Sequence, residues 1–71
     1  MQALGVALRR LRARRKMSQD DLSLAAGLDR TYVSGIERGV RNPTVVSLLK
    51  LADVLGTTPG KLLQAAEKLE A

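Results

Sequence analysis

Between Gln19 and Glu37 the apolar residues fall at Leu22, Ala26, Leu28, Val33 and Ile36, with the small Ser23 and Gly27 among them. Leu22 and Ala26, four apart, share one side of a short helix, and Val33 and Ile36, three apart, share one side of a second. Two apolar faces this close along the chain must meet, so the backbone has to reverse within a few residues. Gly27 can take the positive φ that ends a helix tightly, and Asp29 can cap the helix that follows. The pattern predicts two short helices over about residues 18–38 that pivot on Gly27.

The flanks extend the pattern to five helices. From Gln2 to Lys16, Leu4, Ala7, Leu8 and Leu11 trace one stripe, and the run RRLRARRK covers most of the other sides. Ser18 is the N-cap of helix 2 with Asp21 in the capping-box position, and Asp20 and Asp21 suit the positive end of that helix. Helix 2 covers about Gln19–Ala26, with Leu24 pointing outward. Helix 3 covers about Arg30–Arg38, with Val33 and Ile36 inward and Thr31, Ser34, Gly35 and Arg38 outward. Gly35 costs that helix about 1 kcal/mol relative to alanine, which a bare patch of backbone closely approached by a ligand would offset. Tyr32, at the flank, either only packs or also sends its hydroxyl to a phosphate or base edge.

Gly39 ends helix 3, and the loop carries Arg41 and Asn42 before Pro43 forces an extended approach to the cap Thr44. Helix 4 spans about Val45–Leu55, with Val45, Leu48, Leu49, Ala52 and Leu55 inward and Gly56 as the stop. Thr58 caps helix 5, Pro59 opens it, and Leu62, Leu63, Ala66 and Leu69 form its apolar side. These last helices hold more apolar positions than a small core absorbs. Val46, Leu51, Leu62, Leu63 and Leu69 are therefore expected at a self-association surface, which makes a homodimer.

One charge stands apart from the rest of helix 1. Arg12 lies at the edge of the apolar stripe, where a guanidinium needs a partner, and Glu37, directly after Ile36, is the acid nearest the apolar face of helix 3. We expect the two to pair.

Composition narrows the function. Seventy-one residues make one domain, residues 1–71, near the lower size limit for a single unstapled core. With no cysteine or histidine there is no disulfide, no credible zinc site and no histidine-driven acid–base mechanism, and the lack of cysteine fits a reducing cytoplasm. No apolar run approaches the roughly 20 residues of a membrane span. The Arg-rich start is similar to an organellar transit peptide, but it runs unbroken into the folded pattern and lacks a cleavage-site composition, so it is read as structure. Residues 1–41 carry nine Lys or Arg against four Asp or Glu, and residues 42–71 carry three of each, so the whole net charge of +5 belongs to the half with the helix pair. That is the footprint of a surface that neutralises phosphates. A short helix pair with a tight turn in a basic domain is the geometry that offers its second helix to the DNA major groove, although an ordinary helical hairpin in a small bundle has the same spacing.

Ser18-Gln19-x-x-Leu22, Ala26-Gly27-Leu28, Ile36-Glu37-Arg38-Gly39, Arg41-Asn42-Pro43 and Leu51-Ala52-x-x-Leu55-Gly56, together and in register, resemble the lambda-repressor-like, Cro-type helix-turn-helix regulators of the XRE family over almost the whole chain. The run GLDRTYVSGIERGVRNPT is similar to that of the small controller proteins of restriction-modification systems. The resemblance implies an all-α, five-helix domain with the helix-turn-helix at helices 2 and 3 and a dimerisation region over about residues 44–71. Carried over by position, it implies that Gln19 holds a phosphate and braces helix 3, that Arg30, Thr31 and Ser34 face base edges, and that Tyr32, Arg38, Arg41 and Asn42 hold the backbone or groove edge. Ser23, Leu24, Ala25 and Gly35 depart from the family's usual residues, and Gly35 removes a side chain that some members use to read a base.

The expected function is a sequence-specific double-stranded DNA-binding transcriptional regulator, a cytoplasmic, nucleoid-associated homodimer on a roughly palindromic operator, with feedback on its own promoter. It needs no cofactor, metal or small-molecule ligand; RNA polymerase is a further partner if it activates, through Asp20, Asp21 or Leu24. The alternative is an antitoxin or other protein-interaction module whose DNA binding is secondary. A membrane-active or RNA-binding basic helix would leave the caps and pivot from Ser18 onward without a purpose. An enzyme lacks a base, a metal site or a phosphate-cradling loop.

Overall fold

The computed structural model describes residues 2–70, which form five helices: α1 Gln2–Arg14, α2 Gln19–Ala26, α3 Arg30–Glu37, α4 Val45–Val54 and α5 Pro59–Glu70. Each boundary has a local chemical cause. α1 ends because Lys16 turns left-handed, at φ 55°, so that Lys16 N–H donates to the Ala13 carbonyl at 2.9 Å and Met17 N–H to that of Arg12 at 3.1 Å. α2 starts with a reciprocal box: the Ser18 hydroxyl accepts from Asp21 N–H and the Asp21 carboxylate accepts from Ser18 N–H, both at 2.9 Å. The Ser18 backbone N–H first, and then the Ser18 hydroxyl, hold the exposed Asp21 carboxyl below its ordinary pKa. Gly27, at φ 69°, ends α2, and Asp29 accepts from Thr31 N–H at 2.7 Å to open α3. Thr44 and Thr58 cap α4 and α5 through Ser47 N–H and Lys61 N–H, both at 3.1 Å.

One core collects the inward faces: Leu4, Ala7 and Leu8 of α1, Leu22 and Ala26 of α2, Val33 and Ile36 of α3, Leu51, Ala52 and Leu55 at α4, and Leu62 and Ala66 of α5. Fully burying a leucine or isoleucine stabilises by about 1.5–3 kcal/mol, so Leu8, Leu22, Ile36, Leu51 and Leu62 are among the largest single contributors to folding. α1 runs directly over the last turn of α3. A Cβ at Gly5 would collide with the backbone carbonyl oxygens of Ile36 and Glu37, so only glycine allows the approach. Arg15, though exposed, lays its guanidinium over Gly56, beside the carbonyl end of α4, where a cation is favoured.

Several apolar assignments need correcting. Val45 and Leu49 are exposed rather than inward, whereas Leu51 and Leu62, expected at a self-association surface, are fully buried. The rotation of α4 decides this. The Tyr32 hydroxyl accepts from the backbone N–H of Thr44 at 3.0 Å, tying the start of α4 to α3. From that anchor the inward ridge runs Ser47, Leu51, Leu55, leaving Val45, Val46 and Leu49 outside. On α5 the core claims Leu62 and Ala66, and Leu63 and Leu69 keep partial exposure.

α1, α2 and α3 converge on the buried Glu37 carboxylate. Arg12 grips it with one edge of its guanidinium, Nε to Oε2 at 2.7 Å and Nη2 to Oε1 at 3.0 Å, and Gln19 Nε2 donates to Oε1 at 3.0 Å. Arg12 also donates through Nη1 to the Met17 carbonyl at 2.8 Å, so the loop before α2 belongs to the same network. Its bonds to Glu37, partly offset by burial, keep the Arg12 guanidinium charged by raising its pKa. No buried side-chain nitrogen or oxygen among the described residues lacks a partner. Glu37→Gln keeps the size but removes the charge and places an amide donor against two others; we expect a loss of about 3–5 kcal/mol, read as a lower urea midpoint.

Candidate nucleic-acid interface

The outer side of α3 joins the start of α2 in one shallow polar concavity lined by Gln19, Arg30, Thr31 and Ser34. These residues are far enough apart in sequence that only the turn at Gly27 brings them together. Gln19 reaches the concavity half-buried, with its amide nitrogen committed to Glu37. That bond uses one of the two amide hydrogens, so the second Nε2–H and the backbone N–H at the first turn of α2 can still donate to an incoming group. Thr31 and Arg30 are exposed at the start of α3, and Ser34 lies one turn further along, half-buried. Arg30 Nε lies 3.2 Å from Oδ1 of Asp20 on α2, an ion pair in which both side chains stay largely exposed.

The other expected contact residues frame this concavity without lining it. Arg38, Arg41 and Asn42 are exposed around the end of α3. Tyr32 is half-buried with its hydroxyl spent on the α4 cap, so its first role is to join α3 to α4. Ser47, then Thr44 and the nearby Arg41 charge, lower the Tyr32 phenol pKa, while burial opposes them.

Gly35 is where the outward assignment fails. It is buried, and a Cβ there would lie 2.6 Å from Cγ and 3.3 Å from Cβ of Arg41. The bare spot on α3 is filled from within the chain: the Arg41 stem lies along it. Val40 and Arg41 both donate their backbone N–H to the Gly35 carbonyl, at 2.9 and 3.1 Å, folding the loop back onto the helix. The result aims a cation at the end of α3 from a fixed base. Helical periodicity around Gly35 holds no sign of this, because the occupant comes from beyond the helix.

Two further roles escaped the sequence pattern. Asp20 has the composition of a dipole-favouring acid, and nothing in its spacing marks Arg30 as its partner. Thr44 reads as a cap, yet its N–H also anchors Tyr32. Of the five side chains expected at a dimer interface, Val46 is well exposed, Leu63 and Leu69 are partly so, and Leu51 and Leu62 are excluded by burial. Leu69 lies apart from α4, beside Leu11 in a groove between α1 and α5. Among the described residues no helix is long and apolar enough to cross a membrane.

A sequence model described as "Helix-turn-helix" matches residues 8–62. The chain is 40% identical over 65 residues to the control protein C.MunI of a Mycoplasma species, covering 90% of this chain and 88% of that one. It is similar in structure to the restriction-modification controller protein C.AhdI from Aeromonas hydrophila, with TM-score 0.83 and 46% identity, covering 86% of this chain and 92% of that one. It is similar also to SinR, a master regulator for biofilm formation solved in complex with DNA, with TM-score 0.81 and 31% identity over 84% of this chain and 97% of that one. With the family pattern matched through all of α2, α3 and α4, and with five helices in the same arrangement, the chain belongs to the helix-turn-helix family of regulators, which is not a family of enzymes.

Proposed function

We propose that this protein is a sequence-specific transcriptional regulator that binds double-stranded DNA as a homodimer on a roughly palindromic operator. The observation that carries the reading is the polar concavity of Gln19, Arg30, Thr31 and Ser34, set in the half of the chain that holds all the excess positive charge. Placed in a major groove, α3 directs Arg30 to a guanine, whose O6 and N7 accept from the two arms of a guanidinium, and Thr31 can meet a thymine methyl. Arg38, Arg41 and Asn42 reach the flanking phosphates or groove edge. Gln19 holds a phosphate while bracing α3 through Glu37.

Val45, Val46 and Leu49 on α4 and Leu63 on α5 are apolar side chains that these two helices leave outside the core, and they support pairing through these helices. In such a dimer the two recognition helices lie about 34–36 Å apart and read half-sites one turn apart. Likeness to C.MunI and C.AhdI over most of their lengths favours the restriction-modification controller class within the family. Regulation then includes feedback on the protein's own promoter, in the cytoplasm at the nucleoid. Where it activates, Asp21 and the exposed Leu24 on α2 stand ready to meet RNA polymerase.

Footprinting on the DNA upstream of its own gene, beside a scrambled duplex at about 150 mM salt, tests the reading directly, because purely electrostatic binding is weak there. We expect a symmetric protected site, weakened by Arg30→Ala by about tenfold or more. Equal, salt-sensitive binding to both duplexes would reject sequence-specific regulation. Gly35→Ala separates positioning from stability: the gain of about 1 kcal/mol in helix propensity is offset by the shift forced on the near end of the Arg41 stem, so thermal stability should hold or fall slightly. Affinity for all duplexes should nevertheless fall, and the dependence of log K on log salt should drop by about one phosphate contact. Val46→Asp should move sedimentation from dimer to monomer without changing the helical circular dichroism; an unchanged dimer would exclude this surface.

A further inference from the structure

Asp20 and Asp21 open α2 side by side, yet they do different things. Asp21 completes the capping box with Ser18. The Asp20 side chain takes no part in the cap; its one partner among the described residues is Arg30, at 3.2 Å and on the other helix of the pair. An acid that only served the helix dipole would need no partner across the turn. The pair also has a definite orientation. The shortest approach runs from Asp20 Oδ1 to Nε, the inner nitrogen of the guanidinium, and the terminal nitrogens of Arg30 donate no hydrogen bond among the described residues. Those two nitrogens are the fork that a guanine O6 and N7 would accept from.

We propose that Asp20 is the specificity-determining partner of Arg30: it holds the guanidinium by its inner edge so that the fork faces the base, and its charge disfavours DNA that offers no guanine there. This rests on the reading of α3 as the DNA-recognition helix and deepens it. Arg30 is flexible and largely exposed, and without a brace it would neutralise any nearby phosphate as readily as it reads a base. Asp20 makes that default less favourable in two ways. It keeps the guanidinium over the concavity shared with Gln19, Thr31 and Ser34, and it sets a negative charge beside the phosphate path. When a guanine is present the pair need not break, since base and carboxylate use different edges of the same group. When none is present, Arg30 must leave Asp20 to find a phosphate, or Asp20 must stay unpaired near one. The acid thus lowers affinity for arbitrary DNA while preserving affinity for the operator.

The experiment measures binding of the intact protein to three duplexes: the footprinted site, the same site with 7-deazaguanine at the guanine that Arg30→Ala identifies, and a scrambled duplex. For Asp20→Ala we expect affinity for the scrambled duplex to rise and the loss caused by 7-deazaguanine to shrink, each by about two- to fivefold, the range of an exposed ion pair. Asp20→Asn, which keeps an oxygen able to accept from Nε, should restore most of the guanine discrimination while retaining the higher non-specific affinity. Thermal melting of each variant accompanies the titrations. A uniform fall in affinity for all three duplexes together with a lower melting temperature would overturn the proposal, leaving Asp20 a helix-start acid. Unchanged discrimination in a stably folded Asp20→Ala would overturn it as well. A wild-type protein that fails to distinguish footprinted from scrambled DNA would instead reject the DNA-recognition reading itself.

Discussion

The Glu37 carboxylate is the point on which the arrangement depends. A buried charge is tolerated only when its lone pairs are filled, and here the donors come from Arg12 on α1 and Gln19 on α2 while the acid ends α3. Three helices are thereby fixed relative to one another by directional bonds, where apolar packing alone would permit sliding. Gln19 is the member of the network that also lines the outer concavity. The buried pair and the outer concavity are therefore mechanically continuous.

Around that point the chain uses small residues to bring backbone close to backbone. Gly5 lets α1 lie on the carbonyl end of α3, and Gly27 turns α2 into α3 with a left-handed residue. Gly35 leaves room for the stem of Arg41. In an unstapled domain of this size, such contacts matter as much as the leucines. They let eight-residue helices, too short to be stable alone, bury both a face and an end.

The polar concavity and the exposed apolar side chains of α4 occupy different parts of the molecule because different helices supply them. α2 and α3 are short and capped, and they present Arg30, Thr31 and Ser34; α4 presents Val45, Val46 and Leu49 after its ridge of Ser47, Leu51 and Leu55 has turned inward. Tyr32 joins the two regions through its bond to the α4 cap. A change in the seating of α4 would reach α3 through that bond.

The order and extent of all five helices were legible in the sequence, because caps, left-handed glycines and apolar spacing act over a few residues at a time. The Arg12 to Glu37 pair was legible too, since each residue stands at the edge of an apolar stripe where an uncompensated charge could not remain. What local pattern left open was rotation and reach. α4 carries apolar residues on more than one side, so which of Leu49 and Leu51 turns inward was settled by the helices packed against α4 and not by spacing along it. The occupant of the space over Gly35 and the partner of Arg30 were likewise set by side chains arriving from other elements. Sequence by itself determined where helices begin and end and which charges must be neutralised, because those are local free-energy differences. Only the tertiary structure decided which faces meet and where long side chains come to rest, because those choices are settled by the competition of all five helices for one small core.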